Sequence, residues 1–369
     1  MFRFSTRYYF MMAFLSALFI FAGTDASAEM NQQTQAQIME EMPVPDSVSL
    51  CGERMPLENR EVWEMLDREI TIAGWDRAQV YMWLKRAGRY FPHIEKSLAE
   101  ENLPDDLKYL AVAESALITD IRSKRSALGI WQFMVSAARQ NGMKKNRSVD
   151  ERLSFERSTR AALKYLKNLK SVFGSWSLAL AAYNCGSARL KDAIKEQEKH
   201  DYYRLRLPNE TARFIFRIAA IKIIMENPEL YGYRLSPERV YRPIEVDNLQ
   251  INLRAPLHIT TAAKALNTDY KTLKELNPHI LGRYLPAGKY EICVPYGQSA
   301  KLTDYIKNMP RTSTGSKTGQ GKSDFYVVKR GDTLSQIAQR TGVSMTTIKR
   351  LNRLKDTRIM IGQKLRLTP

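Results

Sequence analysis

Apolar residues recur at every third and fourth position through residues 58–231, the spacing that buries one face of an α-helix. The pattern is clearest over residues 160–173 and 177–198, with few β-branched runs, and predicts an all-α domain large enough for its own core. One helix is predicted to open at Leu103-Pro104-Asp105-Asp106, with proline at its first position and acids in its first turn, where the dipole favours them. It should run to about Leu117. Its buried stripe reads Leu107, Leu110, Ala111, position 114, Leu117 and Ile118, and position 114 is a glutamate. A carboxylate on a buried face is desolvated, which raises its pKa and keeps it protonated near neutral pH. Such a group can serve as a general acid. On this pattern alone it can equally be a core glutamate met by an arginine or by backbone donors.

Beyond Pro243 the texture changes to short pieces: 244–253, two helical stretches at 259–266 and 270–276, then 290–294. The tail repeats this order, with strands predicted at 325–328 and 364–367 around helices at 334–340 and 345–351. The two units align as a repeat of about 45 to 55 residues. Leu273, Leu276 and Asn277 of the first correspond to Ile348, Leu351 and Asn352 of the second, and each keeps a glycine before its last strand. Residues 311–323 are rich in Gly, Ser, Thr and Lys, the composition of a flexible linker.

A chain of 369 residues suits two or three domains. Arg3 and Arg7, an apolar run over 8–22 and then Ala26-Ser27-Ala28 form the pattern of a cleavable export signal. The run is shorter than a spanning helix needs, no cysteine near the cut suggests a lipid anchor, and no later segment approaches spanning length. The net charge of +18 drops by one on cleavage and is spread along the chain. A strongly basic protein expects an acidic neighbour; export makes that an anionic wall or membrane surface rather than nucleic acid. Cys51, Cys185 and Cys293 lie far apart without metal-ligand spacing, and with four histidines they suggest no metal site and no cofactor. One disulfide is compatible with an oxidising compartment, its pairing unreadable. The expected divisions are 1–28 signal peptide, 29–57 leader without chemistry, 58–235 helical domain, 241–297 first small module, 298–323 linker and 324–369 second module.

Four ordered motifs share the helical domain: Glu114-Ser115; Ala127-Leu128-Gly129-Ile130-Trp131-Gln132-Phe133-Met134; Ala182-Tyr183-Asn184-Cys185-Gly186; and Leu207-Pro208-Asn209-Glu210-Thr211. Together they resemble the lytic transglycosylases of the soluble, goose-lysozyme-like superfamily. The resemblance implies an all-α lysozyme-like catalytic domain that cuts peptidoglycan between N-acetylmuramic acid and N-acetylglucosamine. It makes Glu114 the single acid and base, forming a 1,6-anhydro sugar without water, whereas ordinary glycosidases use two carboxylates. Asp120, the nearest acid downstream, lies off the Glu114 face. The resemblance also implies substrate contacts from Ser123, Gln132, Met134, Tyr183, Asn184 and Glu210, with Tyr183 as the hydrogen-bond partner of the catalytic carboxyl. Singly, these residues read as ordinary structure; Tyr183-Asn184 alone would end a helix before Gly186. Val135 stands where a proline often follows the second motif, and Phe214 where the last motif usually has tyrosine. Cys185 lacks a nearby histidine to activate it.

Residues 325–338, with Leu351-Asn352 and Ile361-Gly362-Gln363-Lys364-Leu365, are similar to a LysM domain, a βααβ fold that binds N-acetylglucosamine-containing glycans. Gly331-Asp332-Thr333 predicts a turn and helix cap, and Gly331, Asp332, Thr333 and Asn352 are its candidate glycan residues. Residues 241–296 resemble a degenerate copy that lacks Gly-Asp-Thr and serves for packing. The expected partner is the glycan strand, with peripheral association to anionic envelope surfaces and a periplasmic location. A water-using muramidase and a non-catalytic wall-binding protein are the competing readings.

Overall fold

The computed structural model describes residues 42–309, 325–341, 343–354 and 356–367. The signal segment at 1–28 and the linker stretch at 311–323 lie outside them. The described residues fall into two compact units, divided after Met309.

In the first unit a short hairpin, β1 (Ser49–Leu50) and β2 (Glu53–Arg54), precedes eight helices: α1 (Arg60–Trp75), α2 (Arg77–Glu100), α3 (Lys108–Ser115), α4 (Val135–Gln140), α5 (Phe155–Phe173), α6 (Trp176–Cys185), α7 (Ser187–Gln197) and α8 (Asn209–Glu226). Asn59, Asp76, Ser154 and Ser175 cap α1, α2, α5 and α6 by accepting from a backbone N–H of the first turn, which satisfies donors that the helix leaves open. Helix α8 carries Phe214, Ile215, Ile218, Ala219 and Ile221 around most of its circumference. It therefore packs against α1, α3 and α6 at once and forms the axis of the core. Phe214 lies in this core, so an apolar ring replaces any hydroxyl there.

Two expectations need correction. The stretch 42–57 is no loose leader: Val48, Leu50 and Met55 are buried in the helical core. The Glu53 carboxylate accepts from the Trp176 and Ser177 N–H groups at 2.6 and 3.0 Å and from Lys170 at 2.8 Å, closing the N-terminus of α6. The helix bearing Glu114 is shorter than its apolar spacing implied. Pro104 precedes a 3₁₀ turn at Asp105–Leu107, and the α-helix ends at Ser115 because Ala116 and Leu117 adopt left-handed φ of 52° and 59°. The pattern over 177–198 is two helices, broken where Gly186 takes φ 90°, in keeping with the helix end read before that glycine.

The rest of this unit is the first small module: β3 (Val246–Leu253), β4 (Leu257–His258), α9 (Ile259–Ala265), α10 (Tyr270–Leu276), β5 (Tyr284–Leu285), β6 (Gly288–Pro295) and α11 (Ser299–Lys307). Strands β3 and β6 pair antiparallel from Val246↔Pro295 to Leu253↔Gly288. Leu302 of α11 is buried in the module's core, so residues 299–307 belong to the module rather than to a linker.

The second unit is β7 (Phe325–Val327), α12 (Leu334–Thr341), α13 (Met345–Leu351) and β8 (Lys364–Arg366), with β7 antiparallel to β8. This is the predicted βααβ order, closed over Val328, Leu334, Ile337, Ile348 and Leu365.

Asn277 and Asn352 perform the same task in the two modules. The Asn277 amide donates to the Leu273 and Cys293 carbonyls, and its oxygen accepts from Cys293 N at 2.7 Å. Asn352 donates to the Ile348 and Arg366 carbonyls and accepts from Arg366 N at 2.6 Å. Each ties the end of the second helix to the closing strand. Asn352 thus spends its amide inside the fold. Asp332 is likewise engaged, accepting from Tyr326, Lys329 N and Arg340. Thr333 and Gln336 form a reciprocal capping box at the start of α12. Gly331 supplies the turn with φ 86°.

Candidate active site

Glu114 stands in the last turn of α3, half-buried, on the wall of a pocket shared with α1, α2 and α8. Trp83, Val112, Ile118 and Ile221 make much of that wall apolar. Burial pushes the Glu114 carboxyl up to about 8; the negative charge of Glu210 adds to the rise and the Arg217 guanidinium opposes it. A carboxylic acid that keeps its proton at neutral pH beside open space is equipped to protonate a leaving group.

The four motifs are joined in series by hydrogen bonds. Ser115 Oγ donates to the Ile130 carbonyl at 2.8 Å, tying the first motif to the second. Tyr183 Oη donates to the Trp131 carbonyl at 2.7 Å, tying the second to the third. Thr211 Oγ1 donates to Asn184 Oδ1 at 2.8 Å, tying the third to the fourth. Trp131 is itself pinned, its ring fully buried and its Nε1 donating to Thr159 at 3.0 Å. Tyr183, expected as a hydrogen-bond partner of Glu114, gives its single hydroxyl proton to the Trp131 carbonyl. The two side chains are nevertheless close enough that the Glu114 charge, after burial, raises the Tyr183 hydroxyl pKa.

The other predicted residues sit around this chain. Ser123 closes a turn, its Oγ accepting from Ala127 N at 3.0 Å. Gln132, at a left-handed φ of 48°, donates to the Ile121 and Gly129 carbonyls. Met134 is exposed and directly precedes α4, which starts at Val135 without the proline. Glu210 is exposed in the first turn of α8, 3.9 Å from Arg125. The motif residues other than Glu114 and Ser115 do not line the Glu114 pocket.

What does line it includes a cluster the sequence pattern did not single out. Glu69 of α1 is buried and accepts from Arg213 Nε at 2.6 Å and from Arg68 Nη1 at 2.7 Å, with Arg217 Nε 3.9 Å away. A second carboxylate therefore does stand at the pocket. It is held between guanidinium groups rather than left free. Its one sequence signal was an acid on the apolar stripe of α1, beside Leu66, Ile70 and Ala73.

All three cysteines are free. Burial raises the Cys185 thiol pKa, the opposite of activation. Among the described residues no group of His, Cys, Asp and Glu side chains is arranged to hold a metal ion, and no helix is long and apolar enough to cross a membrane.

Residues 91–205 match the family model of the transglycosylase SLT domain. Glu114 and the first three motifs fall inside the match, whereas Glu69, Glu210, Arg213 and Arg217 lie beyond its limits. Residues 249–310 match the LysM-like domain of lytic transglycosylase MltD, and residues 326–368 match the LysM domain. Over 291 residues this chain is 31% identical to membrane-bound lytic murein transglycosylase D of Escherichia coli, an alignment covering 76% of this chain and 63% of that protein. The chain thus spans less than two thirds of the length of this relative. A probable N-acetylmuramidase of Lactococcus lactis is 36% identical over 97 residues, 22% of each chain. The solved lytic transglycosylase Slt of Pseudomonas aeruginosa aligns over 41% of this chain and 26% of its own, with 21% identity and a TM-score of 0.31.

Proposed function

We propose that this protein is a peptidoglycan lytic transglycosylase that cleaves the β-1,4 bond between N-acetylmuramic acid and N-acetylglucosamine. The observation that carries the reading is Glu114, a carboxyl held protonated up to about pH 8 in a pocket wall and keyed to the three other motifs through Ser115. Glu114 gives its proton to the glycosidic oxygen as the bond from C1 breaks. The resulting carboxylate then takes the proton of the muramic C6 hydroxyl while that oxygen bonds to C1. The acid is regenerated, the sugar leaves as a 1,6-anhydro end, and no water is consumed. Glu69 supports the one-carboxylate scheme, since a carboxylate gripped by Arg68 and Arg213 is a poor nucleophile and a poor base.

The LysM domain holds the glycan, with Gly331 and Thr333 at an exposed turn as contacts. Tethering it to the catalytic domain raises the local concentration of polymer. The export signal, the periplasmic location and the attraction of a basic surface to anionic envelope polymers belong to the same proposal; nucleic acid does not.

Mass spectrometry of digested peptidoglycan tests it. Ends lighter by one water are expected. Reducing muramic acid ends would replace this reading with hydrolysis, and an intact polymer would leave wall binding alone.

A further inference from the structure

Arg152 is almost completely buried. Its Nε and Nη2 form a fork on the Asp150 carboxylate at 2.9 and 2.8 Å. Its Nη1 donates to the Ser126 and Phe133 carbonyls, both at 3.0 Å. These carbonyls bracket the loop whose other carbonyls, Ile130 and Trp131, receive Ser115 and Tyr183. The backbone of this loop also lies close to that of Arg152: a Cβ at Gly129, where φ is 84°, would come 2.0 Å from the Arg152 carbonyl oxygen. One buried guanidinium therefore fixes both ends of the segment on which the Glu114 helix and Tyr183 are hung. A buried charge that satisfies this many partners is costly to assemble and strongly directional.

The backbone just before Arg152 is joined to the LysM-like module. Asp150 N donates to the His279 carbonyl at 2.9 Å, Leu281 N donates to the Ser148 carbonyl at 2.8 Å, and Val149 bridges to Ile280. Val149 is buried within the module's own apolar core. Beside this seam Glu291 of β6 accepts from Arg160 at 2.7 and 2.8 Å and lies 3.5 Å from Arg157. The module is thus joined to the backbone of residues 148–150, two residues from Arg152.

We propose that Arg152 is a positioning residue through which the LysM-like module sets the active-site loop, so that this module serves catalysis by alignment rather than by holding glycan. The proposal rests on the transglycosylase reading above, and its test separates the two. Full-length protein is assayed for turnover of a short soluble peptidoglycan glycan, with anhydro ends counted and melting temperature recorded. Arg152→Lys keeps the charge but loses the fork, and its kcat should fall about 10- to 100-fold, the cost of a misplacement near 1 Å, while KM changes about two-fold or less. On the module side, Glu291→Arg should lower kcat about 3- to 10-fold by the same misalignment, and adding Arg160→Glu should recover most of it. A purely structural role would reduce the folded fraction without this kcat-specific loss or its recovery by charge exchange. Wild-type kcat in folded Arg152→Lys overturns the proposal; if that variant does not fold, wild-type kcat in Glu291→Arg does so. Turnover by Glu114→Gln overturns the functional reading instead, whatever the Arg152 result.

Discussion

The Tyr183 hydroxyl donates to the Trp131 carbonyl at 2.7 Å, so this neighbour of Glu114 is spent on holding the loop of the second motif. With the Ser115–Ile130 and Asn184–Thr211 bonds, this makes four motifs, far apart in the chain, one hydrogen-bonded series. Tyr183→Phe should leave the Trp131 carbonyl without its partner at a cost of about 1–2 kcal/mol, seen as a lower melting temperature. Its kcat should drop about ten-fold or more, with little change in KM. Wild-type kcat in this variant would show that the loop keeps its place without the bond.

In the proposed mechanism Glu114 acts first as an acid, so kcat/KM should decline as pH rises through about 8. The two neighbours move this limb in opposite directions. Glu210→Gln removes a like charge that favours protonated Glu114, and the limb should shift to lower pH. Arg217→Gln removes the cation that favours the ionised form, and it should shift to higher pH. Complete pH profiles of the three proteins check both signs, and parallel shifts would exclude direct coupling to Glu114.

The same raised pKa makes Glu114 a stability determinant. The folded protein holds this proton up to about pH 8, whereas an ordinary glutamate releases it near 4.5. Between these values the folded state binds more protons than the unfolded chain, so stability falls as pH rises. Glu114→Gln should abolish cleavage and remove this slope. Its melting temperature should exceed wild type by an amount that grows from pH 4.5 to pH 8, with each kcal/mol worth roughly 2–4 °C. Thermal melts at pH 5 and pH 8.5 decide it, and equal differences at the two pH values count against the assignment.

Much of this was legible because periodicity reports local geometry. The βααβ elements over 325–367 fall within a residue or two of their predicted limits, and Glu114 was conspicuous as a charge on an apolar stripe. Residues 116–134 were not legible. There Ala116, Leu117, Ser126 and Gln132 take left-handed φ, and order comes from distant partners such as Arg152 and Tyr183, which no local spacing encodes. Glu69 was missed for a related reason: its arginine partners on α8 lie about 145 positions away along the chain. Residues 42–57 resemble a tail because they are polar and proline-containing, and what orders them is distant: Glu53 accepts from the N–H groups at the start of α6.

Asn277 and Asn352 offer a direct comparison, since they make matching sets of hydrogen bonds in modules of matching topology. Asn277 is completely buried, whereas Asn352 is only half-buried. Replacing either by alanine leaves a backbone N–H and two carbonyls short of a partner, and water can make up part of that loss only where it has access. Asn277→Ala should therefore cost about 2–3 kcal/mol, and Asn352→Ala about 1 kcal/mol. The two should also differ in what they disturb. Asn277→Ala loosens the module joined to residues 148–150 and should lower turnover of short glycans. Asn352→Ala should weaken retention on purified sacculi and leave short-glycan turnover unchanged. Binding and turnover measured on both variants test the division of labour: a loss of turnover from Asn352→Ala, or of retention alone from Asn277→Ala, would contradict it.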